Sequence, residues 1–180
     1  FYNKMENFYI ENLAKFRKYK LELEKELNIS IEIEGKNAII NESAIKEYEF
    51  SKMIDAINFG FTIKKALLLK EDDVEFKIIH IKDHTKRNLH AVKARLIGKK
   101  GKTKRVLADV SGCEIIIRET EVGIIGEVES VEDLEKAIIS LIRGSKQSNI
   151  YQYLERMNVV RKEEEILQFS KDALKKEKKE

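Results

Sequence analysis

Several absences narrow what this chain of 180 residues can be. It contains no proline, no tryptophan and a single cysteine, Cys113, which cannot form an internal disulfide. A lone cysteine is typical of a reducing compartment. No run of about 18 apolar residues occurs, so the sequence predicts no membrane span. Its start lacks the long apolar core of a signal peptide, and we therefore expect a cytoplasmic protein. The first residue is Phe1, which leaves open whether upstream residues complete a first strand.

Negative charge is also missing from one long stretch. The net charge is only +3, but no Asp or Glu lies between His84 and Ala108. The basic residues of that stretch are Lys86, Arg87, Lys93, Arg95, Lys99, Lys100, Lys102, Lys104 and Arg105. A solvated helix face usually interleaves Lys with Glu, as at 20–28. The stretch therefore predicts a site for an anion such as a nucleic-acid backbone.

The centre of this stretch reads RLIGKKGKTKR, from Arg95 to Arg105. Its Gly-Lys-Thr resembles the end of a nucleotide-binding P-loop, which requires another glycine five positions before the second one. That position is Leu96, a bulky residue unsuited to the positive φ of such a loop. What remains is a GxxG loop, Gly98-Lys99-Lys100-Gly101, with two cations between its glycines.

An internal repeat sets the expected domain organisation. When the sequence is shifted by 84 residues, 28–33 falls on 112–117 and 56–60 falls on 140–144. Two copies of one unit indicate tandem domains rather than a solenoid. We expect a first domain at 1–70, a second domain at 74–157 and a helical, charged tail at 158–180.

The second copy predicts the order β-α-α-β-β-α, with the GxxG loop between its first two helices. The elements expected from periodicity are a strand at 74–81, helices at 88–97 and 102–110, and strands at 113–117 and 123–128. Ser130 is followed by an acidic residue three positions later, a spacing typical of a helix N-cap. A last helix is therefore expected from Ser130 to about Arg143, before Gly144.

The first copy predicts the same order with its first strand shortened or cut off. The expected elements are helices at 5–13 and 16–27, strands at 29–34 and 37–40, and a helix at 44–58. At the place of the GxxG loop stands Ala14-Lys15-Phe16-Arg17, in which both glycines are missing. The first copy is therefore expected to be a degenerate unit without this loop.

This pattern resembles the type I KH domain, an α+β fold in which three-stranded sheets are covered by helices on one face. More specifically, the chain is similar to the archaeal tandem-KH family of small-ribosomal-subunit assembly. The resemblance is carried by RLIGKKGKTKR, by VGIIGEVESVEDLEKAI and by LIRGSKQSNIYQYLER, which ends at Arg156. It implies a protein without catalytic activity or cofactor that binds single-stranded RNA at the 3′ region of the (pre-)small-subunit ribosomal RNA.

The resemblance also implies which residues bind. They are Arg95, Ile97, Gly98, Lys99, Lys100, Gly101, Lys102, Thr103, Lys104, Arg105, Val106 and Ile115. The loop backbone and its cations would hold about four nucleotides, and the apolar members would support the bases. The expected protein partners are the maturation endonuclease and, in archaea, translation initiation factor two alpha.

Alternative interpretations remain open on the sequence alone. The unit can be a KH-fold protein-interaction module, or a general RNA-binding protein without a role in processing the RNA 3′ end. Tyr151 and Tyr153 can stack on bases or pack inside the fold. Cys113 and the histidines at 80, 84 and 90 have neither the number nor the spacing of metal ligands, so no metal is expected.

Overall fold

The computed structural model of the chain describes the backbone of residues 6–177 and the side chains of residues 6–171. Within that range, six strands form two three-stranded antiparallel sheets, accompanied by eight α-helices. This is the α+β class that the sequence predicts. The chain divides into two compact units. One contains the residues up to Ile78 together with Gly123–Val128, and the other contains Ile79–Val122 and the residues from Glu129 onward.

The first sheet is built from strands close to the beginning of the chain. The elements are β1 (Glu6–Tyr9), α1 (Leu13–Leu27), β2 (Glu32–Glu34), β3 (Asn37–Ile40), α2 (Ala44–Phe59) and the short α3 (Ile63–Ala66), which a 3₁₀ turn extends to Lys70. The strand order is β1-β3-β2, and both edge strands run antiparallel to β3. Phe16 and Phe50 from α1 and α2 are fully buried and lie in one hydrophobic cluster with strand residues such as Ile40.

The helix predicted at 5–13 is wrong. Residues Glu6–Tyr9 are a strand because they pair with β3, with Phe8 opposite Ala38, and the Phe8 ring meets the Phe50 ring edge-on at 5.1 Å. The Asn12 side chain then accepts a hydrogen bond from the Lys15 backbone N–H and caps α1. The residues aligned with GxxG, 14–17, therefore lie inside the first turns of one helix.

The second sheet is formed by strands farther along the chain. The elements are β4 (Val74–His80), α4 (Ile81–His84), α5 (Leu89–Ile97), α6 (Lys102–Ser111), β5 (Glu114–Ile117), β6 (Glu121–Glu127), α7 (Val128–Arg143) and α8 (Gln147–Glu177). The strand order is β4-β6-β5. Asn88 caps α5 through a hydrogen bond from the Ala91 N–H, and the left-handed Gly112 ends α6. The start of α5 and the end of α6, the two helix ends away from the GxxG loop, are thus specified locally.

Ser130 is not the N-cap that its spacing predicts. Strand β6 continues into α7 at Val128, so Ser130 lies in the first turn and is 5% exposed. Its hydroxyl accepts a hydrogen bond from the guanidinium of Arg161, which lies on α8. The Ser130 hydroxyl therefore binds a residue 31 positions away instead of capping the helix.

Helix α8 is one continuous element across the predicted domain end at 157. Its first half is attached to the fold, because Ile150 and Leu154 are buried and Asn158 donates to the Val110 carbonyl at the end of α6. Arg161 lies 3.6 Å from the carboxylate of Asp133 on α7. From residue 162 to 171 every side chain is exposed. The attached part of α8 therefore ends at about Arg161.

Candidate nucleic-acid interface

The GxxG residues form a tight turn between α5 and α6. The Gly98 N–H donates to the Ala94 carbonyl at 2.8 Å and ends α5, and the Gly101 N–H donates to the Gly98 carbonyl at 3.1 Å. Three of the four loop residues have positive φ, namely Gly98 at 74°, Lys100 at 54° and Gly101 at 74°. A lysine with positive φ is uncommon. The turn thus presents Lys99 and Lys100, both exposed, at the junction of the two helices.

The two glycines are required for different physical reasons. A Cβ on Gly98 would lie 2.1 Å from Thr103 Oγ1 and 2.7 Å from the Thr103 backbone nitrogen. A Cβ on Gly101 would have no heavy atom within 4 Å, but the residue adopts left-handed φ/ψ of 74° and 13°. Gly98 therefore allows the turn to close onto α6, whereas Gly101 provides the left-handed conformation and leaves open space beside the loop.

The N-terminus of α6 has the electrostatics of an anion site. Gly101 is its N-cap and offers no side-chain acceptor, and the first turn contains no acidic residue. Unsatisfied N–H groups and the helix dipole make such an end favourable for negative charge. Around it, Lys102 and Arg105 are exposed and Lys104 is half-buried. Among the side chains of residues 6–171, no carboxylate pairs with any of these three cations or with the two loop lysines.

Two of the predicted binding residues are used inside the fold. Thr103 is 3% exposed, and its Oγ1 accepts a hydrogen bond of 2.8 Å from Nε2 of Gln147 at the start of α8. The Arg95 guanidinium donates to the Ser145 carbonyl, and its Nε is buried without a hydrogen-bond partner among the described residues. Both side chains bind residues between α7 and the start of α8, so we assign them a role in positioning the loop rather than in contacting RNA.

Another cation of the basic stretch is neutralised by an acid from elsewhere. Lys93 on α5 forms an ion pair with Glu119, which follows β5. The hydrogen bond and the charge of Lys93, with a smaller contribution from His90, hold the pKa of Glu119 below its ordinary value. Sequence reasoning missed this pair because the two residues are 26 positions apart.

One predicted member of the apolar surface beside the loop is buried. Ile97 and Val106 are half-buried, but Ile115 is only 4% exposed and belongs to the core. Ile117 lies on the same side of β5 two residues further on and is half-buried. Because β5 contacts both α5 and α6, Ile117 replaces Ile115 as the candidate to support a base.

A second turn packs against the helices on both sides of the GxxG loop. This turn, Gly144–Gln147, joins α7 to α8. A Cβ on Gly144 would lie 2.4 Å from Nη1 of Arg87, so the guanidinium packs directly on this glycine. The Gly-Ser-x-x-Ser spacing was the signal available in the sequence, but the contacts of Gln147 could not be read from it.

The remaining candidates lie outside the loop. Tyr153 donates from its hydroxyl to Asp133 at 3.1 Å, and burial and the Asp133 charge raise its pKa, so it is a packing residue. Cys113 is 3% exposed. Within residues 6–171, no three His, Cys, Asp or Glu side chains come together as a metal site. No helix among the described residues is long and apolar enough to cross a membrane.

Comparison with known proteins defines the class of this site. Residues 75–159 match the family described as the eukaryotic-type KH domain (KH domain type I), so this part of the chain, with its GxxG turn, is a KH domain. The chain is 29% identical over 145 residues to a KH domain-containing protein of Methanocaldococcus jannaschii, covering 76% of this chain and 64% of that protein. It is also 29% identical over 138 residues to the pre-rRNA-processing protein PNO1 of Phaeosphaeria nodorum, covering 73% and 52%.

A solved structure agrees with these relatives. A chain from the a/eIF2alpha–aDim2p–rRNA complex of Pyrococcus horikoshii superposes with a TM-score of 0.74 at 28% identity, covering 87% of this chain and 94% of that chain. Residues 75–159 are therefore similar to KH domains of the PNO1/Dim2 type. The match spans about two thirds of the archaeal relative and about half of the fungal one.

Proposed function

We propose that this protein is a non-catalytic factor of small-ribosomal-subunit assembly that binds single-stranded RNA at the 3′ region of the (pre-)small-subunit ribosomal RNA. One observation carries the proposal. An exposed GxxG turn presents Lys99 and Lys100 beside the uncapped, acid-free N-terminus of α6. Such an arrangement neutralises phosphates and lets a sugar-phosphate backbone approach closely.

The relatives support the choice of RNA. PNO1 proteins are named for pre-rRNA processing, and the aDim2p relative was solved in a complex with rRNA. The absence of negative charge from His84 to Ala108 fits this ligand. A cytoplasmic localisation is part of the same proposal.

In this proposal the residues divide into two groups. The exposed cations Lys99, Lys100, Lys102 and Arg105 contact phosphates, and Lys104 adds charge at the edge. The backbone N–H groups of the loop contribute except those of Gly98, Gly101 and Lys102, which donate to carbonyls of the turn or of α5. Ile97, Val106 and Ile117 support bases. Sequence preference then arises from base edges in this groove rather than from phosphate contacts.

We also propose that residues 1–70 form a degenerate KH domain in tandem with a KH domain at 74–157, followed by a tail at 158–180. Both sheets place the third strand between the first and the second. Helices α2 and α7 each have 16 residues and begin 84 positions apart, at Ala44 and Val128. Residues 6–27 contain no helix–GxxG–helix element, so the first domain has no equivalent of the GxxG loop in that segment.

The test is binding to a fluorescent single-stranded RNA that carries the 3′ end of the small-subunit RNA. The variant Lys99→Asp/Lys100→Asp reverses the charge of the turn and retains both glycines. A matched control, Arg17→Asp/Lys18→Asp, reverses two equally exposed charges on α1. We expect the loop variant to lose more than about tenfold in affinity with unchanged melting, and the control to bind like wild type.

The salt dependence of RNA affinity is a second test of the same contact. If the loop neutralises about four phosphates, log K falls with log[salt] with a slope near −3, from roughly 0.7 per phosphate on a single strand. Equal affinity of the loop variant and wild type, or a flat salt response, would refute RNA binding by this turn. The KH-fold interaction module would then be the better explanation.

Partner proteins form a separate part of the proposal. The aDim2p relative was solved with a/eIF2alpha, so we propose that this chain binds translation initiation factor two alpha. From the resemblance we also propose contact with the maturation endonuclease. Pull-down of each purified partner by wild type and by the loop variant tests both contacts, because protein binding should survive the loss of the loop charges.

A further inference from the structure

We propose that RNA leaving the KH groove continues over a second basic surface, formed where the turn Gly144–Gln147 lies against the residues around α5. Its exposed members are Lys86, Arg143 and Lys146, and we call it the exit surface. The ligand is the sugar-phosphate backbone of the same single-stranded RNA. The inference rests on the proposed function and extends the binding site beyond the GxxG turn.

Two acid-free stretches of the sequence make up this surface. The first, from His84 to Ala108, contains the GxxG turn. The second runs from Lys136 to Leu154, where no Asp or Glu occurs, in a chain that contains 32 acidic residues. Folding alone does not require a stretch without acidic residues, because helix α1 and the second half of helix α8 contain many Glu and Asp residues. Their shared lack of acids indicates a shared anionic ligand.

Three contacts bring the two stretches together. The Arg87 guanidinium packs on Gly144, the Arg95 guanidinium donates to the Ser145 carbonyl, and the Gln147 amide donates to Thr103. Arg95 lies three residues before Gly98 and Thr103 lies two residues after Gly101, so these two contacts place the α7–α8 turn and the start of α8 next to the loop. In this proposal, RNA that extends past the loop meets this neighbouring turn.

The exposed cations are placed by these contacts. Lys86 is the neighbour of Arg87, Arg143 precedes Gly144, and Lys146 precedes Gln147, so each backbone lies about 3.8 Å along the chain from a residue of the junction. All three side chains are exposed. None of them forms an ion pair among the described side chains. These three cations are therefore available to bind an anionic ligand.

The experiment compares three RNAs on one variant and one control. The RNAs are a core of about four nucleotides that fills the groove, and the same core extended by about eight nucleotides on its 5′ or its 3′ side. The variant is Lys86→Gln/Arg143→Gln/Lys146→Gln. The control, Arg156→Gln/Lys162→Gln/Lys171→Gln, removes the same charge from exposed positions of α8. Melting curves confirm that each variant is folded.

We expect one extension to raise the affinity of wild type by about tenfold and to steepen its salt slope by about 2, from three phosphates at roughly 0.7 each. The exit-surface variant should lose this gain and still bind the core RNA like wild type, while the control keeps it. If neither extended RNA distinguishes the variant from wild type, the inference is wrong, and the surface serves a protein partner or none. Loss of core binding in the GxxG variant tests the proposed function separately.

Discussion

The two glycines of the GxxG turn should respond very differently to the same substitution. Gly98→Ala places a methyl group 2.1 Å from Thr103 Oγ1 and within 2.8 Å of two further Thr103 atoms. Its φ of 74° and ψ of 172° also lie in a region that only glycine adopts readily. Gly101→Ala meets no atom within 4 Å and is disfavoured only by its left-handed conformation.

The magnitudes follow from these geometries. For Gly98→Ala, backbone strain of about 1–3 kcal/mol adds to a clash of about 1–3 kcal/mol, or roughly 4 kcal/mol in total. For Gly101→Ala, the left-handed conformation costs about 1–2 kcal/mol. At about 2–4 °C per kcal/mol for a chain of this size, the expected decreases in Tm are roughly 8–16 °C and roughly 2–8 °C.

The assay is thermal unfolding by circular dichroism together with RNA binding. Gly112→Ala is the matched control, since Gly112 is also left-handed with no atom within 4 Å of a Cβ, but at the far end of α6. It should match Gly101→Ala in Tm and bind RNA normally, whereas the methyl group of Gly101→Ala obstructs the approach of the RNA backbone. If Gly101→Ala destabilises the protein as much as Gly98→Ala, the division of roles between the glycines is incorrect.

Three further outcomes test the packing and the electrostatics. Asp133→Ala should lower the free energy of unfolding by about 2 kcal/mol, because it leaves the Arg161 side chain, which is 16% exposed, without its carboxylate partner. A second change, Arg161→Met, should recover part of that loss, and chemical denaturation measures both effects. Gly123→Ala should cost about 1–3 kcal/mol, since its methyl group would lie 2.4 Å from a phenylalanine ring, and an unchanged Tm would contradict the observed packing. The pKa of Glu119 should lie below 4.5 in an NMR titration and return to about that value in Lys93→Met. Because folding lowers this pKa, the stabilisation by the pair is present above pH 4.5 and is lost as the pH falls through the lowered pKa.

Local patterns predicted most of the KH domain. The helices predicted at 88–97 and 102–110 are observed at Leu89–Ile97 and Lys102–Ser111, because helix ends such as the left-handed Gly112 are decided within a few residues. Strand β3 has the predicted bounds, Asn37–Ile40. The GxxG turn was recognised for the same reason, since its positive φ values require glycine at 98 and 101.

Predictions failed where distant residues compete for a segment. Glu6–Tyr9 has helical spacing in the sequence, but pairing with β3 makes it a strand. The Ser130 hydroxyl was assigned to capping, but Arg161 binds it from 31 positions away. Both contacts join residues that are far apart in the sequence, and no local window contains both partners.

The sequence by itself determined the acid-free stretches, the glycines of the turn and the bounds of α5 and α6 to within one residue, because charge and backbone preference are properties of single residues and their near neighbours. Only the tertiary structure decided which cations remain available. Packing turned Arg95 and Thr103 inward to Ser145 and Gln147, and a distant Glu119 neutralised Lys93. The same packing left Lys99, Lys100, Lys102 and Arg105 exposed, since no described carboxylate reaches the N-terminus of α6.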